Sequence, residues 1–94
     1  MKVLAIGRIE KPMSDAQRAE VFQHEVPHTL QMYLQGTIEH FWARTDTPGV
    51  AFILNVDSLD KAHAALNGMP LVVGGFVKYE VWPVGPLAPL GHAC

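Results

Sequence analysis

The chain has one cysteine, Cys94, at the last of its 94 positions. A single cysteine excludes an internal disulfide and fits a reducing compartment, so we expect a cytoplasmic location. No apolar run approaches the roughly 18 residues of a membrane span, and the N-terminus lacks the apolar segment of a secretory signal. Charge is also scarce, because 17% of the residues are charged and the net charge is −2. The few basic residues are scattered, which argues against nucleic acid or anionic membranes as partners.

Apolar residues, in contrast, make up 49% of the chain. A chain of this length forms one domain with a thin core, and such a monomer would leave apolar surface in water. We therefore expect a single domain over residues 1–94, with a Pro/Gly-rich tail over residues 85–94, that forms a dimer or a higher assembly of dimers.

Hydrophobic periodicity and turn residues predict the element order β-α-β-β-α-β. Ser14 or Asp15 caps the first helix, Gly36 follows its end, and Ser58 caps the second helix. This order is typical of the ferredoxin-like α+β fold, with a four-stranded antiparallel sheet. The predicted elements are the strand Lys2–Glu10, a helix ending at Leu34, the strands Thr37–Arg44 and Gly49–Asp57, the helix Leu59–Leu66 and the strand Gly75–Val84.

The predicted strands are apolar on both faces. In this topology both helices cover one face of the sheet, and the other face of a monomer should alternate to polar residues. Val50–Leu54 is instead apolar at every position. The sequence therefore predicts that the sheet of a second copy covers this face, as in a dimeric α+β barrel.

The first helix carries an apolar stripe centred on Phe22, which we expect to pack on the sheet. Glu25 lies about 60° from Phe22 around the helix, at the border of this stripe. Partial burial there would raise the pKa of the carboxyl and suit it to general acid–base chemistry. A solvated glutamate, paired with Arg18, is the alternative. The other members of the stripe are Ala19, Val26, Thr29, Leu30 and Tyr33.

The segment His24–His28 matches the H-E-x-x-H zinc signature. Zinc binding by this motif needs a regular helix, and Pro27 lies inside the turn, where it removes an N–H group and clashes with the carbonyl of Gln23. Both histidines also point away from the apolar stripe. We therefore predict a pair of surface histidines and no metal site.

Two further features could serve a ligand. Strict alternation in Thr37–Arg44 places four side chains on one face, namely those of Ile38, His40, Trp42 and Arg44. This row could form a pocket for a flat anionic ligand, or it could line the barrel. Asn55 interrupts an apolar strand, so its amide is either satisfied by a loop or directed at a ligand.

The stretch from Glu25 to Pro86 resembles the muconolactone isomerase family. Leu34-Gln35-Gly36-Thr37 followed by Glu39-His40-Phe41-Trp42 is similar to the family's L-x-x-x-G-T-x-x-H-L-W run, and the similarity continues through Asn55–Leu59, His63 and Met69-Pro70-Leu71. The resemblance implies a dimeric α+β barrel in which a lactone isomerase transfers a proton, without metal or organic cofactor, in a pocket between helix and sheet. It also implies a catalytic glutamate on the first helix, at Glu25.

Three departures from the family pattern concern the substrate. Phe22 stands where the isomerases have a lysine one turn before the glutamate. Met69–Gly74 replaces an aromatic-rich segment, and Ala88-Pro89 replaces a histidine-proline pair. These changes bear on the particular substrate more than on the reaction class.

We therefore predict a cofactor-independent, isomerase-like enzyme that transfers a proton on a small cyclic metabolite, either a lactone or an aromatic-derived compound. The alternative is a non-catalytic module on the same barrel that binds a small ligand or a partner. Glu25 is the predicted catalytic residue. The predicted substrate-binding residues are Arg8, Phe22, Tyr33, His40, Trp42 and Asn55.

Overall fold

A computed structural model describes residues 1–85 of the chain. The expectations for Ala88-Pro89, Cys94 and most of the tail fall outside these residues. The seven elements are β1 (Lys2–Ile9), α1 (Asp15–Leu34), β2 (Ile38–Ala43), β3 (Gly49–Asn55), α2 (Leu59–Asn67), α3 (Pro70–Val73) and β4 (Val77–Val84).

The first helix begins and ends where its capping residues predict. The Ser14 hydroxyl accepts a hydrogen bond from the Gln17 N–H (3.1 Å), and the Gln17 side chain accepts one from the Ser14 N–H (3.0 Å), which forms a capping box. The helix continues through Pro27 to Leu34. Gly36 then adopts a left-handed conformation with φ 84°, which a residue without Cβ reaches easily and which turns the chain into β2.

The four strands form one antiparallel sheet in the order β2-β3-β1-β4. Strands β2 and β3, which are consecutive in the sequence, pair directly. Strand β1 lies between β3 and β4. This topology confirms the predicted α+β fold of the ferredoxin-like type, with all four predicted strands and both predicted helices.

The short helix α3 was not predicted. It begins at Pro70, whose fixed φ suits a first helical position, and it is too short to produce a helical period in the sequence. Its presence delays the last strand, which begins at Val77 instead of the predicted Gly75. The helix buries Leu71 against Phe76 and Val77, next to α1.

The main core lies between the helices and the inner face of the sheet. Leu54 of β3 and Val3 of β1 pair across the sheet and are fully buried. Helix α2 adds Ala62 and Leu66 to this layer. The other large side chains buried there are Met32, Ile38, Phe52 and Met69.

The centre of the outer face of the sheet is apolar on β1 and β3, and no helix among residues 1–85 packs on it. The β1 residues Leu4 and Ile6 pair with Ile53 and Ala51 of β3, and all four side chains are half-buried. On β4, Trp82 lies beside Leu4 and is 45% exposed. Cover of this face by a second copy is still a prediction. No helix among residues 1–85 is long and apolar enough to cross a bilayer.

Candidate active site

A cavity of about 600 Å³ lies between α1 and the inner face of the sheet. Phe22, Val26 and Leu30, spaced four residues apart, line it from the helix. Val50 and Phe52 of β3 line it from the sheet. The walls are apolar apart from Thr29 and one ionisable group, the carboxyl of Glu25.

The orientation of α1 differs from the sequence prediction. The buried residues of the helix are Glu25 and Met32, which lie about 70° around the helix from Phe22. The predicted centre of the buried stripe, Phe22, is 40% exposed, and Val26 is 53% exposed. The helix thus rests on the sheet along a neighbouring line, and the apolar stripe lines the open cavity instead of filling a core.

Glu25 is the one charged side chain that is buried among residues 1–85, with 7% exposure. Its Oε2 accepts a hydrogen bond from the backbone N–H of Leu71, at 3.2 Å. That N–H is free to donate because Leu71 lies in the first turn of α3, where backbone N–H groups have no partner within the helix. The unpredicted helix therefore positions the carboxyl that the sequence singled out.

Burial raises the pKa of Glu25 above its usual value of 4.5, because the charged carboxylate loses hydration in the apolar layer. The hydrogen bond from Leu71 and the nearby charge of His28 act in the opposite direction, and their influence is smaller. The direction is the one expected of a carboxyl that must exchange protons near neutral pH.

Tyr79 of β4 is a second unusual polar group, which the sequence did not indicate. Its hydroxyl is buried without a hydrogen-bond partner among the described residues. Its ring stacks on Phe52 at 5.7 Å and occupies the space over Gly7, where an added Cβ would lie 2.6 Å from the ring. Burial and the nearby charge of Glu25 both raise the pKa of Tyr79, so the phenol stays neutral.

The structure brings three of the predicted site residues to the cavity, namely Glu25, Phe22 and Trp42. Arg8 lines a second, polar cavity beside it. Tyr33 is 46% exposed, and its ring meets the edge of Phe41 at 5.4 Å outside the residues that line the cavity.

The remaining two predicted residues lie away from the cavity. His40 stacks on Trp42 at 5.6 Å, and both pair with residues of β3 that belong to the outer face of the sheet. Asn55 is exposed at the end of β3, and its backbone N–H donates to the Thr37 carbonyl.

A bulge in β2 explains why the predicted row on this strand is wrong. The register shifts between Ile38 and His40, so that Ile38 faces the core and is 1% exposed. His40 and Trp42 then pair with outer-face residues of β3, although Trp42, on the edge strand, still borders the cavity, while Phe41 joins the inner face and lines the cavity. Strict alternation had placed Ile38 and His40 on the same face, and one extra residue separates them.

The histidines of the zinc-like motif lie apart from the cavity walls. His24 is exposed, with Nε2 at 3.7 Å from the Glu20 carboxylate one turn earlier. His28 is half-buried near Glu25. Within residues 1–85, no group of three or more histidine, cysteine or acidic side chains is placed to hold a metal ion.

The profile of the muconolactone delta-isomerase family matches residues 2–88. The chain therefore belongs to this family, as its sequence motifs indicate. No curated protein sequence matches the chain significantly.

Two solved structures share the fold. A muconolactone isomerase crystal structure superposes with a TM-score of 0.78 at 19% identity, covering 92% of this chain and 90% of that one. The second is 5-chloro-2-hydroxyhydroquinone dehydrochlorinase from Burkholderia phenoliruptrix AC1100, in complex with 2,5-dihydroxybenzoquinone. It superposes with a TM-score of 0.65 at 20% identity, covering 90% of this chain and 96% of that one. At these identities the likeness shows the fold, an α+β arrangement with a four-stranded antiparallel sheet.

Proposed function

We propose that this protein is a cofactor-independent, isomerase-like enzyme that transfers a proton on a small cyclic metabolite, a lactone or an aromatic-derived compound. Glu25 is the proton carrier. The observation that carries the proposal is the placement of this one carboxyl, buried and with a raised pKa, in the wall of an apolar cavity.

One carboxyl is enough for such a reaction. An isomerisation that moves a double bond removes a proton from one carbon and returns a proton to another, and the same base can do both. The raised pKa lets Glu25 hold a proton between the two steps. The Leu71 N–H binds Oε2, which leaves Oε1 available for a ligand in the cavity. Glu25 is itself only 7% exposed, which limits exchange of that proton with water.

The related structures support this class of substrate. One is named as an isomerase of a lactone, and the other as a dehydrochlorinase of a chlorinated hydroquinone, with a ring compound bound. Both names describe small cyclic compounds, and the volume of this cavity suits a ligand of that size.

Hydrogen exchange in deuterated water would test the proposal without knowledge of the full reaction. The protein is incubated with a panel of unsaturated five-membered lactones and cyclic enols, and deuterium uptake at carbon is followed by proton NMR. We expect catalysed uptake by the wild type and its loss in Glu25→Gln. Glu20→Gln, which removes an exposed carboxyl from the same helix, should behave as the wild type. Uptake that survives in Glu25→Gln would show that Glu25 is not the proton carrier.

A second candidate is a non-catalytic module that binds a small ligand. It is favoured by the absence of a second charged group from the described cavity walls, where Phe22 stands in place of the lysine that the family resemblance leads one to expect. Carbon-detected NMR titration of the glutamate carboxyls separates the two candidates, with Glu25→Gln to assign the signal. A Glu25 pKa at or below 4.5, together with ligand binding but no exchange, would favour the binding module.

A further inference from the structure

Two side chains of α1 that line the apolar cavity carry oxygen atoms, and they lie one helical turn apart. They are the carboxyl of Glu25 and the hydroxyl of Thr29. Residues four apart on a helix lie on the same face, with Cβ atoms about 5–6 Å from each other. The carboxyl and the hydroxyl therefore border the same part of the cavity, and the hydroxyl has no role in the proton transfer assigned to Glu25.

The Thr29 hydroxyl is free to bind a ligand. The side chain is half-buried, and its hydroxyl forms no hydrogen bond within residues 1–85. A helical threonine can bond the backbone carbonyl one turn earlier, but this hydroxyl is not engaged in that way. Its O–H group is therefore available as a donor to an oxygen atom in the cavity.

Two N–H groups of the described cavity wall are less well placed to serve as this donor. The backbone N–H of Leu71 already donates to Glu25 Oε2, at 3.2 Å. The indole N–H of Trp42 belongs to a side chain that is 53% exposed and stacks on His40. Thr29 is therefore the side chain that can bind a ligand oxygen beside the carboxyl of Glu25.

Proton transfer at carbon needs such a donor. When a base removes a proton from the carbon next to a carbonyl, the C–H bond breaks and an O–H bond forms on the base. A C=C bond forms in the ring, and the electron pair of the carbonyl bond moves to its oxygen as negative charge. In an apolar cavity that oxygen has lost its hydration, so a fixed hydrogen-bond donor has to stabilise the charge.

The spacing of the two side chains fits this arrangement. In a carbonyl compound the oxygen and the neighbouring carbon lie about 2.4 Å apart across two bonds. A hydrogen bond spans about 2.8 Å from the oxygen to a hydroxyl, and a reacting carbon lies about 3 to 3.5 Å from its base. The oxygen and the carbon of one molecule can therefore contact Thr29 and Glu25 at the same time.

We propose that the Thr29 hydroxyl binds the carbonyl oxygen of the substrate, while Glu25 takes the proton from the carbon next to that carbonyl. The substrate class is thereby narrowed to cyclic ketones and lactones that carry a C–H bond beside the carbonyl group. This inference rests on the proposed function for the role of Glu25. Return of the proton to another carbon of the same ring restores the carbonyl and completes the isomerisation.

A pair of matched probes tests the role of Thr29. 1-Indanone and indane share two fused rings and differ in a single carbonyl oxygen, and each is titrated into the full chain by NMR. Thr29→Val replaces the hydroxyl by a methyl group and should weaken the binding of 1-indanone about fivefold, with the affinity for indane unchanged. Equal affinities of 1-indanone for wild type and variant would overturn the inference, as would its failure to perturb residues of this cavity at millimolar concentration.

The carbonyl carbon of isotopically labelled 1-indanone reports the hydrogen bond directly, because a donor at the oxygen shifts its NMR signal to higher frequency. We expect the higher shift in the wild type and in Thr29→Ser, which restores the hydroxyl, and the lower shift in Thr29→Val. Thr45→Val is the matched control, because Thr45 is exposed and lies outside the described cavity wall, and it should behave as the wild type. A lower shift in Trp42→Phe with none in Thr29→Val would assign the donor to the indole and contradict the inference.

The same probe separates this inference from the proposed function, because the carbon next to the carbonyl of 1-indanone can exchange hydrogen with deuterated water. If Thr29→Val weakens binding of the probe but Glu25→Gln leaves exchange intact, the oxygen site stands and the proposed proton carrier fails. If exchange depends on Glu25 while wild type and Thr29→Val bind 1-indanone alike, the proposed function stands and the role of Thr29 is wrong.

Discussion

The packed core and the cavity lie in the same layer between the helices and the sheet, but apolar side chains are buried in the core and about half-exposed in the cavity. In the core, Leu54 is fully buried between the helices and its neighbours in the sheet. In the cavity, Leu30 is 48% exposed although it also faces the sheet. The difference arises because α1 rests on the sheet along the line of Glu25 and Met32, which holds its apolar row away from contact. The lesson is that an apolar pattern on a helix can produce a binding cavity as well as a core.

The largest effect is expected from a leucine-to-alanine substitution made once in the core and once in the wall of the cavity. Leu54→Ala should lower the free energy of unfolding by about 3 kcal/mol, because it removes fully buried methyl groups and leaves a void. Leu30→Ala should lower it by less than about 1 kcal/mol, because half of that side chain is already in water. Urea denaturation of both variants checks this. Equal losses would mean that the cavity is closed in solution and packed like the core.

The next largest effect concerns the two faces of the sheet and is expected in the mass of the oligomer. Ile53 lies beside Leu54 on β3 but points to the outer face, which we expect a second copy to cover. We predict a dimer by light scattering. Ile53→Lys should shift it to the monomer mass, because each buried apolar side chain contributes about 2 kcal/mol and a lysine there is unpaired.

Val73→Lys is the control for this substitution. It places the same charge on an exposed apolar site of α3, where Val73 is 73% exposed, and should leave the mass unchanged. A monomer mass for the wild type would refute the predicted barrel.

The smallest effect is expected at Tyr79, which packs against residues of both buried clusters. Tyr79→Phe should raise the free energy of unfolding by about 1 kcal/mol, because it removes a buried hydroxyl that has no partner. Tyr33→Phe, at an exposed ring, should change it little. A loss of stability in Tyr79→Phe would show that the hydroxyl has a hydrogen-bond partner in solution.

Local signals were sufficient for most of the fold. Its two ends define α1, since the Ser14 hydroxyl accepts a hydrogen bond from the Gln17 N–H at the start and Gly36 adopts a left-handed conformation after the end. Apolar segments bounded by turn residues likewise identified all four strands to within a few residues. The bulge in β2 has no signal in the sequence because it depends on pairing with β3. Helix α3 has none because four residues do not produce a helical period.

The candidate site was predicted less completely. Glu25 was singled out because its position on the helix and the family resemblance agree. Phe22 and Trp42 also reach the cavity, whereas His40, Tyr33 and Asn55 do not line it. Tyr79 carried no signal in the sequence, because the absence of a partner for its hydroxyl is a property of the packing and not of the residue type.

By itself the sequence determined the order of the four strands and the two longer helices, the α+β class, the family, and the apolar centre of both faces of the sheet. These follow from periodicity, capping and motif spacing, which act over a few neighbouring residues. Only the tertiary structure decided which line of α1 touches the sheet, that Leu71 donates to Glu25, and that the basic side chains of β1, α1 and the β2–β3 turn surround one cavity. These depend on how distant segments pack, because a rotation of α1 by about 70° exchanges a core face for a cavity wall.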